Sequence, residues 1–220
     1  QGVDVTLAET ANPDGSFTYE ATAGANAVFT LTVNTDGSYN FTLQGPIDHA
    51  PNSDELLLNF PIIATDFDGD TSTVSIPVTI VDDKPTITDV DAISVDEDDL
   101  ASIGSDGSDP ISIGGNFTTT QGSDGVVSYQ LDGSATPVDG LKSQGVDVTL
   151  AETANPDGSF TYEATAGANA VFTLTVNTDG SYNFTLQGPI DHAPNSDELL
   201  LNFPIIATDF DGDTSTVSIP

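Results

Sequence analysis

The sequence has no cysteine, no methionine and no tryptophan. Without cysteine no disulfide can staple the fold, and an extracellular chain built this way needs another constraint, for which bound metal ions are the usual substitute. Basic residues are almost as scarce. Lys84 and Lys142 stand alone against 35 Asp and Glu, and the formal net charge is −33. Two lysines cannot build a basic patch, which excludes nucleic acid as a partner and adsorption to an anionic membrane. No apolar run is long enough to span a bilayer, so no direct membrane insertion is expected, and no signal peptide is recognisable. A piece cut from the middle of a larger protein would lack both. High charge with modest hydrophobicity can signal disorder. Here the apolar residues fall into clean alternating runs instead, so the charge is expected to be neutralised by cations or to keep a crowded, exported protein soluble.

What the chain does have is repetition. Gln1–Pro77 recurs residue for residue as Gln144–Pro220, every position i reappearing at i + 143. Divergent paralogous domains do not match this closely, whereas two copies from a tandem array do. The period exceeds that of solenoid repeats and falls in the size range of an independent domain. The expected parent is a string of identical beads.

Within each copy the period is two. In "VFTLTV" (28–33), Phe29, Leu31 and Val33 share one face, and in "SYNFTL" (38–43) so do Tyr39, Phe41 and Leu43. Asp36-Gly37 between them signals a hairpin, since Gly tolerates the positive φ of a tight turn. Similar strands read at 3–7, 17–21, 56–64, 74–81 and 126–131, and no stretch has helical periodicity. Short strands with frequent turn signals predict an all-β fold, a β-sandwich in tandem repeats.

The domain edge falls at "VDDKPTITDVD", where Pro85 ends ladder pairing. Residues 1–84 then read as the C-terminal part of one repeat, and 85–220 as a nearly complete next repeat lacking the end of its last strand, with 144–220 identical to 1–77. Segment 85–143 can complete a sandwich with 144–220 in natural order or with 1–84 in permuted order. The natural order is expected. The leftover half is then disordered or completes itself by strand exchange with a neighbouring copy.

The acids cluster. Calcium takes six to eight oxygen ligands from carboxylates, carbonyls and water. A D-x-D-G-D run supplies three carboxylates on alternate residues, and its Gly lets the backbone curl so that they converge. Asp66, Asp68 and Asp70, with Asp209, Asp211 and Asp213 in the second copy, are the first-choice ligands. The plain alternative is a polar turn of solvated charges, but three convergent acids have no other countercharge in this chain. Asp82 and Asp83 lie in the linker and are further candidates, against a charged linker extended by self-repulsion. Asp96, Glu97, Asp98 and Asp99 form a third cluster, for which a solvated charge run competes closely. Strand ends gather at the poles of a sandwich, so these loops are expected to meet at a junction between beads. Asp14-Gly15 and Asp36-Gly37 read as turn formers. His49 and His192 sit in "PIDHAPN" with no second histidine nearby, so each reads as a hydrogen-bonded loop residue rather than a zinc ligand.

In order, "VFTLTVNTDGSYNFTLQGPIDH", "DFDGDT" and "VTIVDDKP" resemble the tandem extender repeats, about 143 residues long, of giant RTX adhesins exported by type I secretion in Gram-negative bacteria. The resemblance covers the whole chain. It implies an extracellular immunoglobulin-like, calcium-binding sandwich at the cell surface, whose partners are adjacent repeats of the same chain. It implies that calcium (Ca2+) stiffens the array and that the array projects a distal ligand-binding region, in adhesion and biofilm formation. By it, Asp66, Asp68, Asp70, Asp82 and Asp83, with Asp209, Asp211 and Asp213, carry over as calcium ligands. The nonapeptide calcium repeats that name RTX proteins are absent. Cadherins use linker acids and a D-x-D loop in a similar, cadherin-like design.

Two other functions compete with this spacer. One is a carbohydrate- or surface-binding β-sandwich module, which clustered exposed aromatics would favour. The other is an enzyme, since carboxylate pairs can hydrolyse glycosides. No paired nucleophile and base and no cofactor loop stand in the sequence, so no enzyme is expected.

Overall fold

The computed structural model describes residues 2–50, 53–101, 103–105, 107, 111–134 and 137–220. The described residues are all-β, in antiparallel sheets, and their one helical element is a single 3-10 turn at Glu97–Asp99. The chain divides into two compact units. Unit 1 comprises 1–83 with 210–212, and unit 2 comprises 84–209 with 213–220.

Unit 1 holds β1 (Val5–Ala11), β2 (Phe17–Ala23), β3 (Asn26–Val33) and β4 (Tyr39–Leu43) in one sheet, in sequence order, and β5 (Glu55–Thr65) with β6 (Thr71–Val81) as a two-stranded ribbon. The hairpins explain themselves chemically. At Asn34–Ser38 the Asn34 amide donates to the Ser38 carbonyl (2.8 Å) and the Gly37 amide to the Asn34 carbonyl (3.0 Å), with Gly37 at φ 85°. Asp36 Oδ1 accepts from the Ser38 amide (2.9 Å) and hydroxyl (2.6 Å). The same device closes 12–16, 155–159 and 177–181. Ala21, Val28 and Phe29 form a small core, packed by Phe41 and Phe60.

Unit 2 adds what unit 1 does not have. Its strands are β7 (Thr86–Val90), β8 (Ser112–Thr120), β9 (Val126–Leu131), β10 (Lys142–Ser143), β11 (Val146–Ala154), β12 (Phe160–Ala166), β13 (Asn169–Val176), β14 (Ser181–Leu186), β15 (Phe203–Asp209) and β16 (Thr214–Ile219). One sheet runs β10-β11-β12-β13-β14-β8-β7 and the other β16-β15-β9. Segment 84–143 therefore pairs with 144–220 at three places, β8 along β14 (Tyr182 opposite Gly115), β9 along β15 (Ala207 opposite Tyr129) and the short β10 along β11 (Ser143 opposite Val146). Alternate residues of both sheets share one core, among them Tyr162, Phe172, Leu174, Tyr182, Phe184, Phe203 and Ile205. Each such aliphatic side chain contributes about 1.5–3 kcal/mol by leaving water. The Leu131 amide donates to the Tyr162 hydroxyl (2.7 Å), joining the two sheets by a buried hydrogen bond. The arrangement is β-sandwich-like.

Besides the two-residue β10, the strands β7 and β8 escape the periodicity reading. β7 begins directly after Pro85, and β8 carries Gly114-Gly115 in its middle. Glycine is disfavoured in strands unless something approaches closely. At Gly115 the Tyr182 ring does: a Cβ there would collide with the Tyr182 hydroxyl oxygen.

Candidate metal centres

In unit 1 the β5–β6 ribbon turns at Asp66–Asp70, immediately beyond the Thr65–Thr71 pair. Gly69 sits at φ 99°. The Asp66 amide donates to the Asp70 carbonyl (3.0 Å), and Asp66 Oδ1 accepts from the Gly69 (3.0 Å) and Asp70 (2.9 Å) amides. A hydrogen bond shared with the Asp68 carboxyl, then those amides, hold Asp66 below the usual carboxylate range. The turn thus folds around one acid and brings the others to it. Asp66, Asp68 and Asp70 each place a carboxylate oxygen within 4.8 Å of the other two, and all three are exposed. Three hard oxygens from one turn, completed by carbonyls and water, are the chemistry calcium takes.

The twin turn has the same backbone and a different environment. In unit 2 the Asp209 amide donates to the Asp213 carbonyl (3.0 Å), and the Asp213 amide to Asp209 Oδ1 (2.7 Å). Both side chains are buried, Asp209 to 2% exposure. Asp213 Oδ2 takes no hydrogen bond among the described residues and lies 3.7 Å from Lys84 Nζ. Burying carboxylates is costly unless positive charge comes with them.

Asp211 belongs to unit 1, where it joins a second cluster. His49 Nδ1 lies 3.3 Å from Asp82 Oδ1 and 3.9 Å from Asp211 Oδ2, and all three side chains are buried. The His49 amide donates to Asp211 Oδ2 (3.1 Å), and His49 Nε2 is 3.4 Å from the Ile80 carbonyl oxygen. With Nε2–H directed at that carbonyl, Nδ1 presents its lone pair to two carboxylates. His49 Nδ1 and Asp211 Oδ1 have no hydrogen-bond partner among the described residues. Either a proton on Nδ1 or a cation satisfies this arrangement. As a nitrogen ligand His49 suits zinc or manganese better than calcium; as a protonated ring it supplies the missing countercharge.

The sequence reading takes His49 as a hydrogen-bonded loop residue, as its Ile80 contact has it, but does not foresee the two carboxylates beside it. The signal was present only as scarcity: in a chain with two lysines, a histidine is one of few groups able to become positive. Asp82 otherwise accepts from the Asp83 amide (2.9 Å), and its own amide donates to the Asp54 carbonyl (3.0 Å). Its position therefore follows from the end of the β5–β6 ribbon.

Asp96–Asp99 is arranged differently. Asp96 caps the 3-10 turn by accepting from the Asp98 amide (3.0 Å), Glu97 Oε1 accepts from the Ile190 amide (2.5 Å), and Asp99 is buried. Among the described residues, none of the four joins a convergent group of three ligand atoms. Comparison with protein-family models, curated proteins and solved structures finds no match for the chain.

Proposed function

We propose that this chain is a stretch of a spacer: tandem, calcium-binding, immunoglobulin-like and cadherin-like repeats that extend an RTX-type adhesin on a Gram-negative cell surface after type I secretion. The array holds a distal ligand-binding region away from the cell in adhesion and biofilm formation. The observation that carries this reading is the D-x-D-G-D turn, which converges three carboxylates in a chain of net charge −33 with two lysines. Exact repetition supports it too. A spacer loses nothing by copying itself, whereas a binding or catalytic site need not recur unchanged.

Bound calcium would supply the positive charge that the chain lacks. Asp66, Asp68 and Asp70 would hold it at the first turn and Asp82 and Asp83 in the linker; of the three acids expected at the twin turn only Asp209 and Asp213 would serve there, since Asp211 lies with His49 and Asp82 instead. With these sites empty, like charges repel and the acidic loops loosen. With them filled, the folded state gains stability by mass action, about 2.7 kcal/mol at a hundredfold excess over Kd.

The test is thermal unfolding in excess EDTA, in millimolar calcium and in millimolar magnesium, with small-angle scattering of the same samples. A calcium-specific rise in Tm of about 5–10 °C, with a stiffer and longer particle, is the expected result. If calcium does no more than magnesium, the acids serve solubility, and a surface-binding module becomes the better reading.

A further inference from the structure

One group of side chains in unit 1 has a donor set that calcium does not account for. His49, Asp82 and Asp211 each place a ligand atom within 4.8 Å of the other two. Their side chains are 4%, 3% and 5% exposed. The turn at Asp66–Asp70 also converges, but its three carboxylates are exposed and offer oxygen alone. Here one donor is an imidazole nitrogen. His49 Nδ1 and Asp211 Oδ1 are buried with no hydrogen-bond partner among the described residues. Leaving such atoms unsatisfied is costly, and an ion between them removes that cost.

The ring is oriented as a metal ligand is. A metal-bound histidine usually donates its other N–H to a carbonyl or carboxylate, which fixes its tautomer. His49 Nε2 lies 3.4 Å from the Ile80 carbonyl oxygen, so Nδ1 turns its lone pair toward Asp82 Oδ1 (3.3 Å) and Asp211 Oδ2 (3.9 Å). The His49 amide holds Asp211 by donating to Oδ2, and the Asp82 amide anchors that residue on the Asp54 carbonyl. Zinc bonds of about 2.0–2.1 Å at tetrahedral angles put neighbouring ligand atoms about 3.3 Å apart. Calcium would tolerate that spacing too, so the nitrogen decides. Calcium takes oxygen ligands, whereas imidazole suits zinc. Charge agrees: two carboxylates, a neutral imidazole and a divalent ion sum to zero, which a buried site requires.

We propose that His49 Nδ1, Asp82 and Asp211 form a zinc site, three protein ligands with water as the fourth, that keeps its ion in the presence of calcium. The sequence offers no second histidine, and the two carboxylates take that place. The ion would tie His49 to Asp211, 162 residues further along the chain. The second copy of the motif does not reproduce the site. The His192 side chain is 28% exposed, its Nε2 lies 3.8 Å from Glu97 Oε1, and it joins no convergent group of three among the described residues. One zinc ion per chain is therefore expected. The inference shares Asp82 with the calcium reading but rests on His49, so the two can fail separately.

The experiment titrates Zn2+ into the full chain in millimolar calcium, reading heat by calorimetry and the imidazole nitrogens by NMR. One site of micromolar or tighter Kd is expected, with the Nδ1 resonance of His49 shifted at saturation and the His192 ring unmoved. His49→Ala and Asp211→Asn should each weaken this site by about tenfold or more, and His192→Ala should not. Co2+ in place of zinc should give the strong visible absorption of a tetrahedral ion. No zinc binding in calcium overturns the proposal. So does zinc binding that leaves the His49 ring unmoved, which would be adsorption to exposed acids; this reading needs no variant and holds even if His49→Ala fails to fold. Zinc that binds in EDTA-treated, calcium-free buffer but is displaced by millimolar calcium overturns it as well, and returns Asp82 and Asp211 to calcium. Absence of any calcium-dependent rise in Tm would count against the spacer reading alone.

Discussion

Residues 1–77 and 144–220 are one sequence in two environments, and the molecule is its own control. The aromatic cluster survives the change. Phe29, Phe41 and Phe60 pack with centroid separations of 5.1, 5.5 and 6.1 Å, and Phe172, Phe184 and Phe203 with 5.1, 5.6 and 6.1 Å. The hairpin turns survive too, down to the Asp–Ser hydrogen bonds. What changes is everything that segment 84–143 touches. β14 gains a neighbour that β4 lacks, and the side chains beneath it pass from exposed to buried. The far end differs in the opposite sense. In unit 1 the strand β5 begins at Glu55 because Glu55–Leu58 pairs with Val78–Val81. In unit 2 β15 begins only at Phe203, whose partner is Ile219. A strand forms where its partner is, and identical residues without the partner do not extend it.

The largest expected contrast is in the core. Leu186→Ala should cost unit 2 about 2–5 kcal/mol, whereas Leu43→Ala should change stability by no more than about 0.5 kcal/mol. Denaturant unfolding of the two variants checks this, and equal effects would mean that unit 1 is covered in solution.

The histidines give the next contrast. His49→Ala removes a buried ring from between Asp82 and Asp211 and should cost about 1–3 kcal/mol. His192, exposed and 3.8 Å from Glu97 Oε1, should be silent when replaced by Ala. Thermal melts of both variants, in EDTA and in calcium, separate the loss of a countercharge from the loss of a metal ligand.

At alkaline pH the tyrosines divide. Burial, then the Asp91 charge, pushes Tyr182 up to about 12, and burial likewise raises Tyr162. A raised value stabilises the fold fully below the ordinary 10 and is lost as pH rises through about 12. Tyrosinate absorbance should therefore show Tyr182 and Tyr162 ionising late, together with the unfolding of unit 2. Tyr182→Phe should remove its share of that late step.

The smallest contrast is acid sensitivity. Hydrogen bonds from Ser16, Ser38, Ser159 and Ser181 hold Asp14, Asp36, Asp157 and Asp179 below their ordinary 3.8. A lowered value gives stability that is present above 3.8 and lost as pH falls beneath it. Because the turns are the same in both copies, acid should weaken units 1 and 2 alike. A melt series between neutral pH and pH 2 checks this, and unequal losses would show that the turns differ in solution.

Much of this was legible beforehand. Alternation located β2, β3, β4, β5, β6 and β9, and Asp-Gly located the hairpins, because both signals act between residues a few positions apart. β7 and β8 were not legible. "SIGGNFTTT" lacks alternating apolar residues, and its Gly115 makes sense only against the Tyr182 ring, far away in sequence. The D-x-D-G-D turn was legible as a candidate site because its convergence is local. Nothing local distinguished exposed Asp66 from buried Asp209. Nothing local placed His49 beside Asp82 either, or committed Asp96 to capping a 3-10 turn.

The sequence by itself determined the strand period, the turn chemistry, the acidic charge and the repeat, all set by neighbours along the chain. Only the tertiary structure decided which copy would be covered. Two identical stretches carry the same apolar positions, segment 84–143 pairs with the second of them, and burial follows that non-local pairing.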